Sequence, residues 1–261
     1  MTDEEIAASA AGLLTMMDTV ERSSDCVARR AQTLDLLALP PSATALDVGC
    51  GAGTALIELG RRARGHTLIG VDINERMLAV ARARAARAAV ACALHEASSE
   101  ALPLASQSVD GVRCERLLQH LSDPLATLLE MKRVLKARGR VALCELDWDA
   151  ALVDSDDREC SRALVRAFAN GSANATIGRK LHGLLRDAGF EDVRVEPSFA
   201  LSTSWQDHRW FVELLATVGR VSEPCPIETI DRWLDEQRER AARDRFCVVI
   251  PWFVASATKP G

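Results

Sequence analysis

The stretch LDVGCGAGT, Leu46 to Thr54, sets glycines at 49, 51 and 53 directly behind a short apolar run. Glycine carries no Cβ and takes positive φ at no steric cost, so three of them at alternate positions let the chain turn sharply and lie against a bound molecule. Ala45 to Val48 reads as a buried strand, and Thr54 to Leu59 as a helix. Strand, glycine loop and helix form the first turn of a doubly wound sheet. A dinucleotide fingerprint runs G-x-G-x-x-G. Here position 54 is Thr and the third glycine comes one residue early, at Gly53, so the spacing points away from NAD. A tight strand-to-helix turn with no ligand is the bland alternative.

Strand and helix periods then alternate along the chain. HTLIGVD (66–72), an amphipathic helix from Glu75 to Ala88, AVACALH (89–95) and SVDGVRCE (108–115) follow in turn. A helix from Pro124 to Lys136 leads through a turn at Gly139 into RVALCELDW (140–148). The right-handed crossover rule folds this βαβαβ order into a parallel sheet with helices on both faces. A helix over 177–190 closed by Gly189, and strands EDVRVEPSF (191–199) and RFCVVIPWF (245–253), complete the pattern. The expected fold is α/β, a seven-stranded, mostly parallel Rossmann-like sheet with helices on both faces and added helical cap segments. Three stretches are left over: N-terminal helices at about 3–38, and the segments 149–175 and 202–244.

Composition narrows the partners. The 261 residues are 48% hydrophobic, enough for one α/β core, and carry a formal net charge of -5. The arginines between Arg82 and Arg87 are interleaved with alanines, so no basic block favours nucleic acid. The start, Met1-Thr2-Asp3-Glu4-Glu5, has no basic segment followed by an apolar core, and no apolar run approaches membrane-spanning length. The expectation is a soluble, cytoplasmic protein, monomer or homodimer, with no membrane partner. Of the eight cysteines, Cys50, Cys92, Cys114 and Cys144 fall in or beside strands, and no C-x-x-C or His/Cys ligand spacing occurs. They are expected to be reduced core residues, with no metal.

Asp72 ends the second strand, in GVDINERML. A carboxylate there can accept from both ribose hydroxyls of a nucleoside held over the glycine loop. Its structural alternative is to cap the helix beginning near Glu75, a task Asn74 can also perform.

Together LDVGCGAGT, VDINERML, ALPLASQSVDGV, LLQHLSDP and MKRVLKARGRVALCELDWD resemble the class I S-adenosylmethionine-dependent methyltransferases. The likeness is to the small-molecule branch that includes ubiquinone and menaquinone methyltransferases and natural-product tailoring enzymes. It covers about residues 43–148, and more loosely runs on to Phe199. The resemblance implies S-adenosyl-L-methionine as cofactor, with Asp47, Gly49, Gly51 and Gly53 around its methionine part, Asp72 on the ribose and Ile73 over one adenine face. The position where the family has an acid for the adenine amino group is Ser98 here. The charge-assisted contact is lost there, unless Glu96 or Glu100 replaces it. Cys114 and Glu115 begin the loop under the methionine tail. Arg30, or Arg29 beside it, resembles a basic residue that pairs with the cofactor carboxylate; a solvated helix face is the alternative for either. The implied organisation is 1–42 as N-terminal helices closing over the cofactor site and 43–261 as the methyltransferase domain, with the insertions at about 149–175 and 202–244 as a substrate cap.

A sulfonium carries its own leaving group, so the protein need only hold an acceptor in line, exclude water and, for a hydroxyl or acidic carbon, take a proton. His120, just past the fourth strand at the carboxyl edge of the sheet, is the first candidate base. A histidine bonded to backbone at a helix end is its alternative. Glu145 and Asp147 end the fifth strand on the same edge, as base or substrate anchor, though Asp147 can also simply cap the next segment. His208 lies in the expected cap, where a solvated helix face is the alternative. With no tyrosine in the chain, a hydroxyl would be handled by His, carboxylate or water. Trp148, Trp205, His208 and Trp252 are the candidate substrate-pocket residues, since aromatic walls suit a flat or greasy acceptor. Trp210 and Phe211 with Leu214 and Leu215 read instead as a buried helix stripe. Two rival functions share the fold. A nicotinamide-dependent reductase is opposed by the glycine spacing and the missing Y-x-x-x-K pair, and a noncatalytic cofactor-binding scaffold is opposed by the cap-length insertions. The expected reaction is O-, N- or C-methylation of a small molecule, in natural-product metabolism or, alternatively, quinone biosynthesis.

Overall fold

The computed structural model describes residues 17–62 and 65–261; the helices expected before residue 17 lie outside the described residues. The strands are β1 (Thr44–Val48), β2 (Thr67–Asp72), β3 (Ala93–Glu96), β4 (Val109–Glu115), β5 (Leu135–Leu146), β6 (Leu152–Val153), β7 (Glu191–Ser202) and β8 (Val248–Thr258). The helices are α1 (Ser24–Leu36), α2 (Thr54–Arg62), α3 (Glu75–Ala88), α4 (Pro124–Val134), α5 (Arg158–Asn170), α6 (Ile177–Asp187), α7 (Trp205–Ser222) and α8 (Ile227–Ala242). No helix among the described residues is long and apolar enough to cross a membrane. The described residues divide into two compact units, one within 29–147, 173–198 and 252–261, the other of residues 17–28, 148–172 and 199–251.

The first unit is the sheet. Its strands run in the order β3-β2-β1-β4-β5-β8, with β7 also paired to β8. The pairings β2–β3, β1–β2, β1–β4 and β4–β5 are parallel, and β8 runs antiparallel to β5. A parallel sheet must be covered on both faces, and two apolar clusters do so. Leu128, Met131, Leu181 and Leu185 from α4 and α6 bury one face, while Leu34, Leu56 and Leu78 from α1, α2 and α3 bury the other. Each fully buried leucine contributes roughly 1.5–3 kcal/mol, so these helices are held by packing more than by propensity.

The second unit is helical. Trp148 stacks on Phe211 at 5.5 Å between ring centroids and meets Phe168 edge-on at 5.1 Å. Phe211, Leu215, Ile230 and Trp233 bury the facing stripes of α7 and α8. Side chains stop the helices from fraying: Asp157 accepts from Cys160 N at the start of α5, and Ser204 from Asp207 N at the start of α7.

Three details differ from the sequence expectation. An eighth strand, β6, lies in the segment left unassigned and pairs with the first residues of β8. Gly139 lies within β5 rather than in a turn before it, because Leu135 is buried and already pairs with Val109. The third strand starts at Ala93, not Ala89. Ala89 sits at φ 52° and its N–H closes the last turn of α3, which leaves a few residues for the change of direction.

Candidate active site

The apolar run of β1 ends at Val48, and the chain then turns through Gly49, Gly51 and Gly53 at φ of 71°, 49° and 77°. The turn is fixed by backbone: Gly49 N and Cys50 N both donate to Val71 O, at 2.8 and 3.0 Å, and Gly53 N donates to Cys50 O at 2.9 Å. The three glycines serve different needs. A Cβ at Gly49 would sit 3.1 Å from the Leu117 side chain, and one at Gly53 would sit 3.0 Å from Ala81 Cβ. At Gly51 the nearest atom, Met77 Cε, would be at 3.8 Å, an ordinary van der Waals distance, so a side chain there meets no clash and the glycine answers to its φ of 49°.

Asp72, at the carboxyl end of β2, accepts from Gly51 N at 2.8 Å and from Asn74 N at 2.9 Å. It therefore ties the glycine loop to the start of α3. The helix cap is Asn74, whose side chain accepts from Arg76 N and Met77 N. Each Asp72 oxygen retains a lone pair beyond its backbone bond. Ile73 beside it is 73% exposed, an unusual state for an isoleucine and an apolar face available to a flat ring. Ser98 lies half-buried and accepts from Glu100 N at 3.2 Å, while Glu96 is exposed and in register with Asp72 on the neighbouring strand.

Under the loop lies a network that the sequence pattern did not single out. Arg113 on β4 is buried, opposite Asp47 on β1. Its guanidinium donates to Asp47 Oδ1 at 3.1 Å, to Thr33 Oγ1 at 2.9 Å and to Glu115 Oε2. Burial works against its charge, but the carboxylates of Glu115 and Asp47 outweigh that and raise its pKa. The signal was present in SVDGVRCE, where an arginine interrupts a strand with no solvent face. Glu115 Oε1 is buried and makes no hydrogen bond, but it faces Arg116 Nε at 3.6 Å, so both oxygens of this carboxylate lie against arginines at the end of β4. Cys114 is buried in the apolar core, paired on both sides of its strand, and burial raises its thiol pKa strongly, so its side chain is closed to a ligand. Arg30 is buried and paired with Glu58 of α2 at 2.8 Å; Arg29 donates to Ser198 Oγ at 2.7 Å.

The segment after β4 is a short turn of 3-10 helix, Leu118–His120. Glu145, fully buried at the end of β5, accepts through one oxygen from Leu117 N at 2.9 Å and Leu118 N at 2.7 Å. Its other oxygen is buried and unpartnered. Burial, opposed by these backbone bonds, pushes its carboxyl up to about 8. Asn174 completes the clamp, donating from its side chain to Leu118 O and Leu121 O and from its backbone N to Gln119 O at 3.0 Å. No periodicity marks Asn174. His120 ends this turn with an exposed side chain, and partial desolvation, with the nearby Arg116 charge, lowers its pKa. Asp147 is buried and accepts both Nε and Nη2 of Arg179, the latter at 2.6 Å.

The substrate-pocket candidates fall in both units. Trp148 is a buried member of the aromatic cluster of the helical unit, and Trp205 packs edge-on against Phe246 at 5.3 Å. His208 is buried with Nε2 3.7 Å from Asp25 and Nδ1 unpartnered; burial lowers its pKa against the pull of Asp25 and Asp207. That is not the solvated face the sequence allowed for. Trp252 lies in β8 of the sheet unit, buried, with its indole Nε1 unpartnered.

Comparison with known proteins decides the family. The family described as methyltransferase domain matches residues 46–143, from β1 to β5. A protein carried by a Streptomyces fradiae transposon, itself uncharacterised, is 32% identical over 251 residues, covering 95% of this chain and 72% of that one. A demethylmenaquinone methyltransferase from Deinococcus radiodurans is 35% identical over 117 residues, 45% of this chain and 48% of its own length. The chain belongs to the class I S-adenosylmethionine-dependent methyltransferases. The fold agrees: the Bacillus subtilis protein YcgJ superposes with a TM-score of 0.63 at 16% identity, over 89% of this chain and 98% of that one.

S-adenosylmethionine is the cofactor of this methyltransferase, and the residues present fit it. The tight glycine turn, the remaining lone pairs of Asp72, the exposed Ile73 and the buried carboxylate of Glu115 at the end of β4 are what a nucleoside with an ammonium-bearing tail needs. When bound, the cofactor supplies an electrophilic methyl group on a positive sulfur. All of the candidate cofactor residues lie in the sheet unit.

Proposed function

We propose that this methyltransferase methylates a hydroxyl or acidic carbon of a small molecule of natural-product metabolism, with His120 as the proton acceptor. The observation that carries the proposal is the clamp on the turn after β4. Glu145 and Asn174 fix its backbone, and His120 ends it with an exposed ring at the carboxyl edge of the sheet. Its lowered pKa keeps the imidazole neutral near pH 7 and ready to take a proton. Glu145 is then a positioning residue for this turn rather than a base. Trp148, just before the segment 149–175, Trp205 and His208 of the segment 202–244, and Trp252 are each proposed as acceptor-selecting residues. Support for that role comes from their absence from the matched family region, 46–143, which carries the shared cofactor motifs. A quinone acceptor is the second reading, favoured by the likeness to demethylmenaquinone methyltransferase over 117 residues.

The test is product mass with the full chain, S-adenosylmethionine and a panel of phenols, quinols, carboxylates and amines. A phenol or quinol gaining one methyl group supports the proposal. His120→Ala should then lower the turnover number by about 10²–10⁴-fold with cofactor affinity unchanged. A variant within a fewfold of the parent, or methylation of amines alone, would remove the base from the mechanism.

A further inference from the structure

Two thiols of the helical unit stand together, neither of them among the candidate site residues. Cys160 lies in the first turn of α5 and is buried, while Cys225, half-buried, lies in the link between α7 and α8. Their sulfurs are 3.5 Å apart although 65 residues separate them in the chain. Both backbones are constrained. Asp157 caps Cys160 N at 3.0 Å, and Cys225 sits between Pro224 and Pro226, which restrict the residues on either side of each ring.

We infer that Cys160 and Cys225 form a reversible disulfide, a modification site that staples the start of α5 to the α7–α8 link. Bond formation requires the sulfurs to move from 3.5 Å to about 2.05 Å, a shift that side-chain rotation can supply. The two thiols differ in access, and this orders the chemistry. Cys225, the more exposed, is the attacking group: its thiolate displaces one thiolate from a small disulfide RSSR and forms a mixed disulfide. Cys160 then loses its proton to solvent and attacks the Cys225 sulfur, expelling the second RS⁻. Two protein thiols are oxidised, one RSSR is reduced to two RSH, and the protein loses two hydrogens. Burial and the Cys225 contact push the Cys160 thiol up to about 12, which disfavours it as the first attacking group; in the second step its position 3.5 Å from Cys225 makes up for the scarcity of its thiolate. The link closes a long loop of the unfolded chain, so oxidation should raise the thermal midpoint by on the order of 5 °C.

The test is incubation of the full chain with oxidised glutathione, followed by intact mass, thiol titration and peptide mapping. The expected product has lost two hydrogens, carries no glutathione, shows six titratable thiols in place of eight, and joins the peptides holding Cys160 and Cys225. Dithiothreitol should restore the original. Cys160→Ser should stop at a glutathione adduct on Cys225, and Cys225→Ser should give neither adduct nor link at Cys160. A stable adduct on Cys225 in the parent protein, a link between other cysteines, eight unchanged thiols, or a lowered thermal midpoint on oxidation would each overturn the inference.

Discussion

Two arginines gather carboxylates in the two units, with opposite consequences. Arg113, in the sheet, holds Asp47 and Glu115 with every partner buried; Arg240, in the helical unit, holds Asp154, Asp156 and Glu236, with Asp156 91% exposed. The chemistry is the same and the solvent is not. In the sheet, water cannot replace a lost partner, so the arginine is obligatory once the two acids are in place. In the helical unit Arg240 and Glu236 are half-buried but Asp154 and Asp156 stand in water, so water and salt weaken the outer pairs, which add little beyond orienting α8 against the Asp154–Asp156 segment. The site therefore rests on the region where polar groups are few, buried and mutually dependent. The helical unit keeps its shape by aromatic packing and tolerates change in its charges.

Arg113→Met should have the largest effect. It leaves Asp47 and Glu115 buried without their cation, at a cost of about 3–5 kcal/mol that is insensitive to salt, read from urea unfolding at low and high ionic strength. A loss under 1 kcal/mol would put Arg113 in the same class as Arg240 and end the contrast.

Glu145 sharpens the picture of the sheet unit through pH. Its carboxyl stands at about 8 in the folded chain against an ordinary value of 4.5, so the folded state holds a proton that the unfolded state releases. That contribution is complete below about pH 4.5 and is lost as pH rises towards 8. The slope is on the order of 1 kcal/mol per pH unit. Glu145→Gln keeps an acceptor for Leu117 N and Leu118 N and should flatten this part of the stability profile. A slope unchanged in the variant would assign the titration to another group.

Asp72→Ala removes the anchor between the glycine loop and α3 and the proposed ribose contact. Affinity for S-adenosylmethionine should fall by about 1.5–3 kcal/mol in calorimetric titration. Equal affinity would leave Asp72 a purely structural tie. The smallest effect belongs to Arg240→Met, about 1 kcal/mol in dilute buffer and less at high salt. A larger, salt-independent loss would show that its partners are less solvated than their exposure indicates.

The element order, the glycine turn and Asp72 at the end of β2 were legible because each depends on a local rule: periodicity, positive φ, or a strand end followed by a helix. Asn74 as the helix cap was legible as one of two options. Arg113, Asn174 and the Cys160–Cys225 pair were not, since, Glu115 beside Arg113 apart, their partners lie 53 to 80 residues away in the chain. The arginine in an apolar strand was a visible anomaly, but nothing in the sequence named Thr33, Asp47 and Glu115 as its partners together. His208 went the same way: its helix was foreseen, its burial beside Asp25 was not.

The sequence by itself determined that this chain would build a doubly wound sheet with a glycine-rich first turn, because backbone sterics and hydrophobic period act over a few residues and need no knowledge of the rest. Only the tertiary structure decided which charges are shielded from water. Parallel pairing of β1 with β4 sets Asp47 opposite Arg113, and the end of β5 brings Glu145 under the turn that carries His120. Burial is a property of what surrounds a group, so the same residue types became an obligatory network in the sheet and a partly solvated one between α8 and Asp154 and Asp156.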